Sequence, residues 1–175
     1  MEKLRIGNKK LIKDINKAKV IDQIRNNGPI SRTDIAKNTN LGQSTITNII
    51  DEMVHQDLVA EIGEGESQGG RRPIQLEFNY NYGYVIGIKI EVGRAVLALR
   101  NLNVQLIEKN VVNFPSNLKW ESVIEKIKKG IQALIVKAKS LNKEILGLGI
   151  GISGFVDVSR GILLYSRMLE WEMVP

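Results

Sequence analysis

Apolar positions recur at helical spacing through the first third of the chain and then change to strand spacing. Ile15, Ala18, Ile21 and Ile24 fall three residues apart, which predicts a helix over 11–26 with Lys13, Lys17 and Asp22 off its apolar stripe. Gly28 and Pro29 end it, because proline cannot continue a helix. A second helix starts at Ser31, whose hydroxyl can cap free amides, with Asp34 suited to the positive helix end. Ile35 and Ala36 are its inward residues, and Asn40 can take the left-handed turn that follows. A third helix covers roughly 43–56, with Ile46, Ile49, Ile50 and Met53 as its buried stripe. Two extended runs come next, "LVAEI" over 58–62 and "PIQLEF" over 73–78, separated by a polar, glycine-rich tip. In the second run Ile74, Leu76 and Phe78 alternate with Gln75 and Glu77, the period of a half-buried strand.

The pattern then shifts to longer strands at 84–92, 94–101 and 104–114. An amphipathic helix follows at about 119–140, with Val123, Ile127, Ile131, Leu134, Ile135 and Ala138 on its apolar face. The strand "ILGLGIGI" covers 145–152 and leads into "SGFVDVSRGILLYS". The order βββαβ predicts a mixed sheet with a helix on one face.

Three helices followed by a hairpin are the layout of a winged helix-turn-helix. Such a motif needs a small residue where its two helices cross, a residue tolerant of positive φ in the turn, and an apolar residue packing back. Ala36, Asn40 and Ile46 fill these positions. The geometry presents the start of the third helix to a major groove. The candidate DNA contacts there are Gln43, Ser44, Thr45, Thr47 and Asn48. Gln and Asn pair bidentately with adenine, and Ser and Thr reach phosphates or base edges. Ser31 and Arg32, at the start of the second helix, join the candidate set. At the hairpin tip, "GGRRP" offers Gly70, Arg71 and Arg72. Its glycines allow close backbone approach, and arginine suits a phosphate or a narrow minor groove.

Charge refines this picture only modestly. The 175-residue chain has a formal net charge of +6, which permits a polyanionic partner without proving one. Residues 2–19 are rich in Lys and Arg, including Lys3, Arg5, Lys9, Lys10 and Lys13, whereas residues 51–66 are acidic without a Lys or Arg. There is no cysteine and a single histidine, His55, which excludes disulfides, thiolate chemistry and a histidine-rich metal site. His55 reads as a helix-surface residue. No apolar run approaches the roughly 20 residues that span a bilayer, so a cytoplasmic protein without a membrane partner is expected. No catalytic residue, metal or cofactor is expected. The glycines at 147, 149, 151 and 154 lack a following Lys-Ser/Thr pair, so a phosphate-binding P-loop is not predicted.

The stretch "GPISRTDIAKNTNLGQSTITNIIDEMVHQDLVAEIGEGESQGGRRPIQLEFN", above all "ISR", "STITNII" and "GGRRP", resembles the DNA-binding module of the ROK family. That family comprises repressors, open reading frames and sugar kinases, and its xylose-responsive, XylR-like repressors are the nearest likeness. The resemblance implies an α+β chain: a winged helix-turn-helix over 1–80, then an incomplete actin/hexokinase-like (ribonuclease H-like) α/β domain over 81–175. "GYVIGIKIEVGRAVLAL" stands where the family has its first phosphate-binding loop, and "LGLGIGISGFVD" resembles the family's "GIGIPGPVD". The chain departs from the kinase pattern where it matters. Lys89 replaces the loop's aspartate, and Glu91, Val92 and Gly93 replace Gly-Gly-Thr, which argues against ATP binding. Arg167, Met168 and Leu169 stand for the Pro-Asn-Leu of the sugar-facing segment. Asp157 reads as a turn residue.

These readings lead to a non-enzymatic, sequence-specific transcriptional regulator that represses carbohydrate-utilisation genes, truncated within its sugar-kinase-like domain. The expected partners are a double-stranded DNA operator and a second copy in a homodimer, with a sugar effector left open by the incomplete domain. The alternative is a degenerate or truncated carbohydrate kinase or sugar-binding module with no regulatory role on DNA.

Overall fold

A computed structural model describes residues 9–65 and 72–175. The chain divides into two compact units, Met1–Asn79 and Tyr80–Pro175.

In the first unit, α1 (Lys9–Asn27) is followed by a short strand β1 (Ile30–Ser31), α2 (Arg32–Thr39), α3 (Gln43–His55) and the strands β2 (Val59–Glu64) and β3 (Ile74–Phe78). The three strands form an antiparallel sheet in the order β1-β3-β2. Val20, Ile24, Ile35, Ile46, Ile50, Met53, Val59 and Leu76 are all at most 1% exposed and make the core that the three helices share with the hairpin. The predicted stripe of α3 is therefore buried in full. That of α1 is not: Val20 and Ile24 are its buried residues, Ile15 is 47% exposed and Ala18 is also exposed. Three-residue steps lag a 3.6-residue turn, so Ile15 lies about half a turn away from Ile24. The buried seam follows a four-residue step instead. Ile74 is likewise exposed, at 41%, because it pairs with Glu64 at the outer end of the hairpin, beyond the core.

The turns follow local chemistry. Ser31 caps α2, its hydroxyl accepting from the Asp34 amide. Asn40 closes the helix in the left-handed conformation, at φ 56°. Gly28 donates its N–H to the Ile24 carbonyl, and a Cβ there would sit 2.5 Å from that oxygen, so only glycine ends α1 this way.

The second unit holds β4 (Tyr84–Glu91), β5 (Arg94–Asn101), β6 (Leu106–Asn113), α4 (Trp120–Ser140) and β7 (Ile145–Ile152). Their sheet has the order β6-β5-β4-β7, antiparallel except for the parallel β4–β7 pair. Helix α4 supplies the crossover between those parallel strands. Its Val123, Ile127, Leu134 and Ala138 share a core with Ile86, Ile88, Ile90, Leu97 and Leu99. On edge strand β7, Leu146, Leu148 and Ile150 are each exposed by 46% or more. The strands β8 (Phe155–Asp157), β9 (Ile162–Ser166) and β10 (Trp171–Val174) form a separate antiparallel sheet in chain order. Asp157 is the last residue of β8, not part of the turn itself, and its side chain holds the turn that follows: one carboxylate oxygen accepts from the Ser159 hydroxyl at 2.7 Å and from the Arg160 amide at 3.1 Å. These bonds, that of Ser159 foremost, hold its pKa below the ordinary value.

Candidate nucleic-acid interface

Helix α3 separates its two faces cleanly. Ile46, Ile49, Ile50 and Met53 are buried, whereas Gln43, Ser44, Thr47 and Asn48 are exposed and Thr45 is half-buried. The exposed four sit at i, i+1, i+4 and i+5, which is one helical face. Among the described residues no side-chain hydrogen bond holds any of these four. Their donors and acceptors are therefore available to an external partner.

The hairpin stands in the same unit. The Gly65 amide donates to the Pro73 carbonyl at 2.8 Å, closing the outer end of the hairpin where the tip begins. The exposed Arg72 follows the tip. Gly70 and Arg71 lie outside the described residues, as do Lys3 and Arg5.

Two of the expected contacts are placed differently. Ser31 is 2% exposed, and its hydroxyl both accepts from the Asp34 amide and donates to the Asp34 carboxylate at 2.6 Å. Burial and capping remove it from any surface contact. Arg32 is engaged by two carboxylates, Asp51 Oδ1 at 2.7 Å and Glu61 Oε1 at 2.9 Å. Partial burial alone would lower its pKa, but the hydrogen bonds to Asp51 and Glu61 outweigh that and raise it.

A second set of ion pairs ties α1 to α3. Glu52 receives Lys13 at 2.7 Å and Lys17 at 3.1 Å, and Lys17 also donates to Gln56 Oε1 at 3.1 Å. The Lys13 bond, then that of Lys17, depresses the Glu52 pKa. Three members of the acidic run at 51–66 thus neutralise basic groups of the same unit. The partners are far apart in sequence, so composition showed the two charge blocks but not their pairing. His55 is exposed at the end of α3.

In the second unit, Glu91 is bridged by Lys89 at 2.6 Å and Arg94 at 2.8 Å. Its pKa is lowered, by Lys89 first and then Arg94. A cleft of about 190 Å³ borders Lys89, Glu91, Ser153 and Met168, smaller than the ~300 Å³ at which ligand sites usually begin. Among the described residues no cluster of His, Asp or Glu could hold a metal ion, and no helix is long and apolar enough to cross a membrane.

Residues 15–61 match the MarR family model, which takes in most of α1, all of α2 and α3, and the first half of β2. The xylose repressor of Caldicellulosiruptor bescii is 35% identical over 170 residues, 97% of this chain and 43% of the relative. The likeness to xylose repressors runs along nearly the whole chain. The DNA-binding transcriptional dual regulator NagC of Escherichia coli is 25% identical over 95% of this chain and 41% of its own length. The crystal structure of a ROK family transcriptional regulator, a homologue of the E. coli MLC protein, superposes with a TM-score of 0.74 at 22% identity, covering 93% of this chain and 41% of that one. The fold is accordingly that of the matching part of this regulator, a winged helix-turn-helix followed by a mixed four-stranded sheet with its crossover helix. The chain spans less than half the length of these relatives.

Proposed function

We propose that this chain belongs to the ROK family and is the DNA-reading part of a repressor of carbohydrate-utilisation genes. The observation that carries the reading is the exposed polar face of α3, with Gln43, Ser44, Thr47 and Asn48 opposite a fully buried stripe. In a major groove these side chains have the chemistry to read base edges. Arg72, with Arg71 beside it in sequence, then supplies phosphate or minor-groove contacts from the wing. Repression follows from occupancy of the operator. One winged module makes few contacts, so two copies on two half-sites are needed for useful affinity at physiological salt.

The same reading makes the chain a regulator and not a kinase. Where the resemblance places a kinase's metal- and phosphate-positioning aspartate, this chain has Lys89, paired with Glu91 at 2.6 Å, so the carboxylate that phosphoryl transfer would use there is replaced by a cation. Xylose is the proposed effector sugar, on the strength of relatives named xylose repressors, and the cytoplasm is the compartment that a DNA operator requires.

Selection of bound duplexes from a random pool at stated salt tests the reading. Enrichment of a two-half-site sequence, with affinity falling steeply as salt rises, is the expected result. Enrichment of nothing, or sugar phosphorylation by the pure protein, overturns it.

A further inference from the structure

Arg32 occupies an unusual position for a residue at the start of α2. Its Nη1 donates to Asp51 of α3 at 2.7 Å and its Nη2 to Glu61 of β2 at 2.9 Å. One planar fork therefore joins three elements. Asp51 lies one turn beyond Thr47 and Asn48 on the candidate reading helix. Glu61 stands at the register shift between Glu61 and Gly63, where Gly63 takes φ 127° and the strand bends into the wing. The side chain is only 26% exposed, so the fork is held against the unit, not spread in solvent. Guanidinium geometry matters here, because an ammonium is a point charge without the rigid two-pronged donor set. Two of its five N–H donors are committed to these carboxylates, whose two negative charges more than offset the guanidinium and so disfavour a phosphate beside it.

We propose that Arg32 is a positioning residue for DNA recognition, fixing the base of the wing against the reading helix through Glu61 and Asp51, and is not itself a phosphate contact. The proposal rests on the DNA-binding reading above and deepens it. Arg32 acts through the placement of the wing, so its effect depends on the wing's own DNA contacts.

The test uses the full chain, a duplex selected by the wild-type protein, and binding measured by fluorescence anisotropy over a salt series. Arg32→Gln is expected to weaken binding about tenfold and to flatten the slope of log affinity against log salt no further than Arg72→Ala does, because what is lost is the wing's own phosphate contact. In an Arg72→Ala background the same substitution is expected to cost less than about threefold, the non-additivity of coupled residues. Arg32→Lys should fall between wild type and Arg32→Gln. Glu61→Gln supplies a second arm that keeps Arg32 and removes one anion. Electrostatics alone would strengthen its binding to DNA, whereas loss of positioning weakens it. Circular dichroism at the assay temperature checks that each variant is folded, and Glu61→Gln decides the matter if Arg32→Gln is not.

A salt slope that falls by a further ~0.9 when Arg32→Gln is added to Arg72→Ala would make Arg32 a phosphate ligand and overturn the proposal. So would equal losses with and without Arg72, or tighter binding by Glu61→Gln. A wild-type chain that selects no duplex fails earlier, and identifies the DNA-binding reading as the error.

Discussion

Lys13 of α1 and Glu52 of α3 are paired at 2.7 Å, and Lys17 one turn later reaches the other oxygen of the same carboxylate at 3.1 Å. The pairs hold the outer half of α3 to α1 and lower the Glu52 pKa below its ordinary 4.5, through Lys13 first and Lys17 next. A carboxylate with a depressed folded pKa stabilises the fold above its unfolded value, and that contribution is lost as pH falls through the folded value. Glu52→Gln should therefore melt at a lower temperature than wild type at neutral pH, with the two curves converging below the ordinary carboxylate range. Thermal melts from neutral to acidic pH check this. A gap of constant size across that window would contradict it.

The turn between α2 and α3 depends on Asn40, held at φ 56°. Asn40→Ala should destabilise the unit by about 1 kcal/mol, the usual cost of a left-handed Cβ. Asn40→Gly should be neutral or slightly stabilising, since glycine has no such penalty. Urea denaturation distinguishes the two substitutions.

Loss of the Ser31 cap is a stability lesion. Ser31→Ala should cost about 1 kcal/mol, measured by denaturant unfolding. The salt slope of DNA binding should be unchanged, because the hydroxyl is buried and bonded to Asp34.

On the exposed face of α3, Thr47→Ala or Asn48→Ala should alter sequence preference more than non-specific affinity, a difference of about 1–3 kcal/mol at the affected base pair. Arg71→Ala with Arg72→Ala should instead weaken binding across sequences and flatten the salt dependence. Repeating duplex selection with each variant, alongside a salt series, reads both effects.

Much of this was legible from residue order. The stripe of α3 emerged because Ile46, Ile49, Ile50 and Met53 combine three- and four-residue steps and so stay on one face. Ser31 and Asn40 were legible because caps and left-handed turns are local choices. The stripe of α1 was misplaced because an uninterrupted three-residue repeat looks periodic but winds around the helix. The role of Arg32 was hidden because its acceptors lie 19 and 29 residues away, and only the packing of α2, α3 and β2 brings them to one guanidinium.

The division of α3 into a fully buried stripe and an unengaged polar face bears on how such a head diversifies. Exchanging Gln43, Ser44, Thr47 or Asn48 opens no cavity and strands no buried donor. Target preference can therefore drift, or be re-engineered, one side chain at a time while the scaffold keeps its shape.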